Sequence, residues 1–352
     1  RTRLAENIGA SEADEVIQII RNAGQPAIED CPFDVVDAGR VVKKKLAELA
    51  TVAGVVLVGG YDVIAAQRLD VLPPRLRQSL RNPAADHDQF IVWSDDFYGC
   101  VDDDDVPDLP ISRIPDGKSS GLVLQALCVG EVGSKSRFGV RNLARPFAEN
   151  VFAKIDGQGD SVVSELFAPA NLQSRPDLLR ADRIYLMLHG ADWDATRFWG
   201  ETQARELYEA INLSSIPKDV SATVFTGCCW GAMPVNRRAC QAVDSAQAGP
   251  RTTSDSLALS FLQAGAKAFV GCTGVHYSPT THPFDFFGGP FHEAFWRQLA
   301  RVNAPARALF EAKKEYLRGI PHRRNGSPSA VAQDEAIELK IMRQYTCLGL
   351  GW

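Results

Sequence analysis

The sequence of 352 residues lacks several features that define whole classes of protein. It contains no uninterrupted apolar run of about 18 residues, the length that a membrane-spanning helix needs. Its 38 Lys and Arg residues are outnumbered by 43 Asp and Glu residues. This charge balance excludes a protein that binds nucleic acid through bulk basicity. Its eight cysteines make up about 2% of the chain, which is too few for a disulfide-stabilised scaffold. We therefore expect neither a nucleic-acid partner nor a membrane partner.

Several motifs of common enzyme classes are also missing. There is no GxGxxG fingerprint and no GxxxxGK[ST] loop, so dinucleotide binding and nucleotide hydrolysis are not supported. There is no GxSxG elbow, which argues against an α/β-hydrolase. No repeat of fixed period occurs. What the chain does have is a hydrophobic content of 45% with 23% charged residues, enough to form a large core.

Apolar strand patterns alternate with amphipathic helical patterns along the chain, which is typical of an α/β fold with a mostly parallel sheet. The patterns predict strands over 54–60, 90–93, 109–114, 183–188, 222–226 and 266–272. They predict helices over 11–21, 38–50, 119–129, 202–211, 254–264, 290–299, 304–318 and 332–345, and another within 142–155. Residues 61–89 are predicted to be irregular. Glycines cluster over 130–140, so we expect a boundary there between residues 1–135 and residues 136–352.

Two of the predicted strands end at reactive residues next to glycine. The segment RIYLMLHGADWD, residues 183–194, ends its apolar run at His189-Gly190. The segment ATVFTGCCWGAMP, residues 222–234, ends at Gly227-Cys228-Cys229. Because ligands bind at the carboxyl ends of strands in parallel sheets, adjacent strands would bring the imidazole and the thiols together. A thiolate nucleophile with an imidazole that transfers the proton is the basis of cysteine-dependent catalysis.

The order "strand, His-Gly; strand, small residue, Cys-x-x-Gly" resembles the caspase–gingipain–separase clan of cysteine peptidases. Upstream, VLVGGYD (56–62), SDDFYG (94–99) and DVPDLPISRIP (105–115) resemble the N-terminal subdomain of the gingipain family. Downstream, SLALSFLQAGAKAFVGCTG (256–274) and CLGLG (347–351) resemble its later segments, although the usual Gly-Asp-Pro is missing from the closing strand. The resemblance touches most of residues 54–351 in patches.

The resemblance implies a caspase-like αβα sandwich in two lobes, with a supporting lobe over 1–135 and a catalytic lobe over 136–352. It implies a cysteine endopeptidase that cleaves protein or peptide substrates without an organic cofactor. Cys228 is the implied nucleophile and His189 its acid–base partner, while Cys229 remains the alternative nucleophile because caspases have Cys-x-Gly. The backbone N–H groups of Gly190 and Cys228 are the implied oxyanion donors.

The residues that follow His189 and those that follow the predicted strand 266–272 are the candidates for a substrate pocket. In the clan, the loop after the catalytic histidine helps to shape the primary specificity pocket, which here selects Asp192, Trp193 and Trp199. An acidic group there would favour Arg or Lys in the substrate, whereas Asp192 and Asp194 pointing into solvent would have no such effect. Thr273 and Gly274 follow the strand 266–272 and are further candidates for the lining.

An acidic segment at 102–108 raises the question of a metal ion. Asp102, Asp104 and Asp108 supply hard oxygen ligands of the kind that Ca²⁺ prefers, and some gingipain-like enzymes bind calcium. The segment lacks the alternating spacing and the distal Glu of an EF-hand loop. A solvated acidic turn is the alternative interpretation, and no other metal site is expected.

Other functions remain open on the sequence alone. The same fold could serve as a catalytically silent signalling scaffold or as a peptidase that needs a partner, and a thiol acyltransferase or ligase would use the same dyad. The chain begins at Arg1 rather than Met, which is consistent with regulation by a missing flanking segment or domain. The adjacent cysteines suit reduced thiols better than a bridge, which favours a cytoplasmic location.

Overall fold

The structure is a computed structural model that describes residues 1–80, 85–102, 106–164, 168–320 and 328–352. Its strands are β1 (Val55–Val58), β2 (Gln67–Asp70), β3 (Ile91–Ser94), β4 (Ile111–Ile114), β5 (Arg137–Arg141), β6 (Ser161–Val163), β7 (Arg183–Met187), β8 (Arg197–Glu201), β9 (Leu207–Asn212), β10 (Thr223–Thr226), β11 (Ala268–Cys272) and β12 (Tyr345–Gly349). Its helices are α1 (Thr2–Ile8), α2 (Ala10–Asn22), α3 (Val35–Ala47), α4 (Pro74–Ser79), α5 (Ser120–Leu127), α6 (Phe147–Phe152), α7 (Pro169–Ser174), α8 (Leu257–Gln263), α9 (Gly288–Val302), α10 (Pro305–Gly319) and α11 (Pro328–Gln344).

A central sheet of eight strands organises the chain, in the order β1-β4-β12-β11-β10-β7-β5-β6. The pairs β1–β4, β10–β11, β10–β7, β5–β7 and β5–β6 are parallel, while β11 and β12 are antiparallel. Two antiparallel ribbons, β2–β3 and β8–β9, stand apart from this sheet. The α/β class with a mostly parallel sheet, predicted from the sequence, is therefore confirmed.

Helices cover both faces of the central sheet, which gives three layers. On one face, alternate residues such as Tyr185 and Met187 of β7 pack in one core with α6, α9, α10 and α11. On the other face, Ile184 and Leu186 of the same strand pack with α1, α2, α5, α7 and α8. Successive side chains of a strand point to opposite faces, so both sets are buried and these strands read as continuous apolar runs. None of the described helices has both the length and the apolar character required to cross a bilayer.

The predicted helix over 202–211 is wrong, because this segment forms half of a β-hairpin. Residues 207–212 are strand β9, which pairs antiparallel with β8. The composition of the segment favours a helix, but Phe198 and Ile211 lie opposite each other and are both buried in the core that contains β7. Cross-strand burial of this kind overrides intrinsic helix propensity.

Two further regions differ from the sequence-based expectation. The segment 61–89, predicted to be irregular, contains the short strand β2 and the helix α4. The glycine-rich segment 130–140 includes the start of β5, which lies beside β7 in the central sheet. The glycines there do not simply mark a loop, because the Cβ of a larger residue at Gly139 would lie 2.8 Å from the ring of Phe152.

The proposed division at residue 135 stays a prediction. Strands β1 and β4 come from the first 135 residues, yet they belong to the same sheet as the later strands. Within the central sheet, the two parts meet where Leu348 of β12 lies in register with Arg113 of β4. The parts before and after residue 135 therefore share one hydrogen-bonded sheet.

Candidate active site

The two strands that carry the predicted catalytic residues are neighbours. In the parallel pair β7–β10, Thr226 lies in register with Leu186, and the N–H of Gly227 donates to the carbonyl of Leu186 at 2.9 Å. His189 and Cys228 come shortly after these paired residues in their two segments. The adjacency that the sequence argument required is confirmed, and it places both segments at the same edge of the sheet.

Gly190 marks the closest approach of the two segments. A Cβ atom built on this glycine would lie 2.1 Å from the carbonyl oxygen of Cys229 and 3.3 Å from the Cβ of Cys228. The first distance is far inside van der Waals contact, and the atom met is backbone rather than a flexible side chain. Only glycine fits here, and its small size lets the His-Gly segment lie directly against the Cys-Cys segment.

The β8–β9 hairpin holds His189 in place. The backbone N–H of His189 donates to Trp199 at 2.8 Å, and the N–H of Trp199 donates back at 2.9 Å. Two residues later on β8, Oε2 of Glu201 lies 2.8 Å from Nε2 of His189. This hydrogen bond is the main cause that lowers the pKa of Glu201 below its ordinary value, and the amide of Asn142 adds a contact at 3.4 Å.

The contact with Glu201 defines the state of the imidazole. An ionised carboxylate can only accept, so Nε2 of His189 carries a proton, and in the neutral imidazole the free lone pair of the base is then on Nδ1. Glu201 is not predicted from the sequence, because the segment that follows it, 202–211, has the pattern of a helix. The available signal for a strand was the aromatic pair Phe198-Trp199 in RFWGE, residues 197–201, because aromatic residues are enriched in strands.

Cys228 is fully buried in this structure. The residue has 0% exposed surface, and its Sγ lies 3.9 Å from the carbonyl oxygen of Leu186. Burial raises the pKa of its thiol to about 12. Its backbone N–H donates to Oγ1 of Thr226 at 3.0 Å. The resting thiol is therefore protonated, and the N–H expected to serve an oxyanion has another partner, so that role stays a prediction.

Cys229 lies closer to the surface. The residue is half-buried, its Sγ accepts the backbone N–H of His276 at 3.3 Å, and burial raises the pKa of its thiol. A third thiol, Cys272, donates to the carbonyl oxygen of Cys228 at 3.1 Å. All eight cysteines lie in the described part of the chain, and all are free thiols.

Comparisons with known proteins relate this geometry to a fold. No protein-family model matches the sequence, and no curated protein is detectably similar to it. Among solved structures, the chain is similar to one described as "Structure of Protease", with a TM-score of 0.58 and 13% identity over 98% of this chain and 76% of that one. Two structures of the Saccharomyces cerevisiae separase–securin complex align at 11% and 14% identity with TM-scores of 0.39 and 0.36. They cover 69% and 72% of this chain but only 14% and 15% of theirs, and scores this low carry no argument.

The chain has a caspase-like fold. Its mostly parallel sheet between two helical layers, shared over nearly the whole chain with a protease, is the finding that decides this. At 13% identity the likeness establishes the fold alone.

The segment that follows His189 contains three of the predicted pocket residues, Asp192, Trp193 and Trp199. The carboxylate of Asp192 is 2.9 Å from the guanidinium of Arg238, so its charge is already compensated and has less to offer a basic substrate side chain. Trp193 is 77% exposed, and its ring centroid lies 5.8 Å from that of Trp199. The two indoles form an aromatic surface beside His189. The role of this surface in binding substrate stays a prediction.

Thr273 and Gly274 make hydrogen bonds to neighbouring segments of the candidate active site. Thr273 is 2% exposed, and its hydroxyl donates to the carbonyl oxygen of Trp93 at 2.7 Å. The carbonyl oxygen of Gly274 accepts the N–H of Trp230 at 2.9 Å. Both residues hold neighbouring segments together, and their predicted part in lining the pocket is not tested by these contacts.

The calcium hypothesis is only partly covered by the structure. Asp104 lies outside the described residues. The carboxylate of Asp108 accepts the backbone N–H groups of Val101 at 2.7 Å and of Asp102 at 3.4 Å, as in an ordinary turn. Among the residues that the structure describes, no group of three or more His, Cys, Asp or Glu side chains is arranged to hold a metal ion. Calcium binding at this segment stays a prediction.

Proposed function

We propose that the protein is a cysteine endopeptidase of the gingipain-like type, acting through His189 and Cys228. The observation that carries the proposal is the contact of the two strand-end segments at Gly190, together with the Glu201 carboxylate bound to His189. A nucleophile, a base and a group that orients the base are the three parts that such a reaction needs.

The proposed reaction follows from the protonation state of the imidazole. Nδ1 of His189 takes the proton of the Cys228 thiol as Sγ forms a bond to the scissile carbonyl carbon. The imidazolium, stabilised by Glu201, then protonates the leaving amine as the C–N bond breaks, which leaves an acyl-enzyme. His189 next takes a proton from water as the water oxygen attacks the acyl carbon. The C–S bond then breaks, and the imidazolium returns its proton to Sγ of Cys228. The backbone N–H of Gly190 is the proposed first donor to the oxyanion.

One observation favours a second possibility, that the protease needs activation. The thiol of Cys228 is fully buried and its raised pKa opposes ionisation, so a substrate cannot reach it without a local movement. A partner, an ion or a missing segment that moves the 228–231 turn would supply this step. In the absence of such a factor the chain would act as a silent scaffold, the other function that the sequence left open.

A panel of irreversible peptidyl acyloxymethyl ketones tests the proposed function. The reagents carry basic or acidic side chains at the first position and are applied with and without Ca²⁺, and the adduct is located by mass spectrometry. We expect an adduct at Cys228 that is lost in His189→Ala. An adduct at Cys229 would assign the nucleophile to the other thiol. Absence of any adduct in every condition would favour the scaffold.

Removing the Glu201 carboxylate is expected to slow the reaction. The Glu201→Gln variant keeps the shape of the side chain but loses the negative charge that favours the imidazolium, so we expect kcat to fall about 10- to 100-fold with KM nearly unchanged. The matched control is Glu209→Gln on the same hairpin, which breaks the ion pair with Arg197 at 2.5 Å. Equal kcat values for the two variants would contradict the role of Glu201.

The same variant has a predictable effect on stability against pH. The folded state lowers the pKa of Glu201, so its stabilising contribution is complete above the ordinary pKa of a Glu side chain. That contribution is lost as the pH falls through the lowered value. Thermal unfolding should therefore show the wild type more stable than Glu201→Gln at pH 7 and the difference shrinking in acid.

A further inference from the structure

A buried cluster of charges lies behind the candidate active site. The Nζ of Lys340 is 2.5 Å from Oδ1 of Asp86 and 2.7 Å from Oδ2 of Asp88, and the Lys340 side chain has no exposed surface. The two aspartates are each 1% exposed. Asp86 also accepts the N–H of Phe90 at 2.7 Å and the hydroxyl of Tyr277 at 2.6 Å. Moving three charged groups out of water costs desolvation free energy even when they are paired, so a contribution to stability alone does not explain the arrangement.

Asp88 connects the cluster to the turn that carries the candidate nucleophile. Its Oδ1 accepts the indole N–H of Trp230 at 3.0 Å, and its Oδ2 accepts the backbone N–H of Val275 at 2.6 Å. The carboxylate thus joins the residue after the Cys-Cys pair to the segment after β11. The approach is so close that a Cβ atom on Gly274 would lie 2.6 Å from Oδ2 of Asp88.

Trp230 needs this support because its backbone is strained. It has φ of 52°, in the left-handed region that a bulky residue rarely adopts, at a cost of about 1–3 kcal/mol. Its N–H donates to the carbonyl oxygen of Gly274, and Arg238 lies over its ring at 5.9 Å. The indole and the backbone of Trp230 are therefore held from two sides, which sets the path of the chain through Cys229 and Cys228.

We infer that Asp88 is a positioning residue for the reactive turn at 228–231, held in place by Lys340. It acts through the indole of Trp230 and the backbone of Val275 and does not touch the reacting atoms. This inference rests on the proposed function for its kinetic consequence, although the mechanical link between Asp88 and the turn does not. The residue comes from the region assigned to the supporting lobe, so that part of the chain takes a share in shaping the active site.

The test compares two variants of the link with one variant of an unrelated buried ion pair. Asp88→Asn removes the charge, and Trp230→Phe removes the indole N–H and one of the two fused rings while keeping an aromatic side chain. The control is Lys313→Met, which breaks the pair of Lys313 with Asp96 at 2.7 Å, where the two side chains are 7% and 11% exposed. Melting temperature, kcat and KM are measured for all three with a peptide substrate identified by the labelling panel.

We expect Asp88→Asn and Trp230→Phe to lower kcat by about 10- to 100-fold with KM changed less than about threefold, because misplacing a nucleophile by about 1 Å has effects of this size. Lys313→Met should lose thermal stability yet keep kcat. The inference is overturned if Asp88→Asn and Lys313→Met lose kcat equally for an equal loss of melting temperature. If Asp88→Asn does not fold, an unchanged kcat in Trp230→Phe overturns it instead.

A second measurement separates this inference from the proposed function. Iodoacetamide alkylates an accessible thiol without any peptidase activity, and mass spectrometry reports the rate at Cys228 and Cys229 separately. A turn held by Asp88 predicts a change of about fivefold or more in at least one rate in Trp230→Phe, and unchanged rates in Lys313→Met. If the wild type proves inactive but these rates change as expected, the proposed function fails and the positioning stands. Unchanged alkylation rates in Trp230→Phe would refute the positioning.

Discussion

The Cys228→Ser variant is expected to lose peptide hydrolysis by at least about 10³-fold, since a hydroxyl is a far weaker nucleophile than the thiolate that His189 can generate. Cys229→Ser should keep most of the activity, because its side chain serves as an acceptor for the N–H of His276, which a hydroxyl oxygen can replace. The initial rate of cleavage of a fluorogenic peptide measures both effects.

The two serine variants also control for each other. Each replaces one sulfur by oxygen in adjacent positions, so a general disturbance of the turn would affect both. Melting temperatures show whether the buried hydroxyl in Cys228→Ser, close to the carbonyl of Leu186, destabilises the fold. The assignment of Cys228 is wrong if Cys229→Ser is the inactive variant and Cys228→Ser retains activity.

Gly190→Ala is expected to lower kcat by about 100-fold, through geometry rather than chemistry. The added methyl group would lie 2.1 Å from the carbonyl oxygen of Cys229, and neither backbone can yield without separating the two strand-end segments. His189 would then move away from the thiols, and the N–H proposed to bind the oxyanion would move with it. Stopped-time hydrolysis assays give kcat, and circular dichroism confirms that the fold remains.

Gly130→Ala is the matched control for this change. A Cβ atom on Gly130 meets nothing within 4 Å, so the substitution should leave both kcat and stability unchanged. A Gly190→Ala variant with the activity of Gly130→Ala would show that the close approach of the segments is not required for catalysis.

The sequence predicted the central part of this site because its signal is local. Strands β7 and β10 are continuous apolar runs that end at glycine, and strands of this kind are readily recognised when they are buried on both faces. Their adjacency followed from the general geometry of parallel sheets, and the structure agrees through the register of Thr226 with Leu186. The order of residues along the chain could therefore bring His189 together with the Cys228-Cys229 pair, whereas the choice of Cys228 within that pair rests on the resemblance to the clan and stays a prediction.

The parts that sequence analysis missed depend on contacts between distant residues. Glu201 lies on a strand that exists because Phe198 and Ile211 are buried together, and the pattern after it has the composition of a helix. Asp88 lies in a region that was predicted to be irregular, and its role appears only when Trp230 and Val275 are brought to it. Such contacts leave little periodic pattern in the chain, so no window of sequence can reveal them.

The link through Asp88 also bears on when the site can form during synthesis. Asp88 reaches Trp230 across 142 residues and Lys340 across 252 residues. Contacts of such long range form only when the later segment is available. As the chain leaves the ribosome, the turn with Cys228 and Cys229 emerges more than 100 residues before the lysine that completes its support. The turn can therefore take up its supported geometry only after Lys340 has been synthesised, although most of the residues that pack around it have left the ribosome earlier.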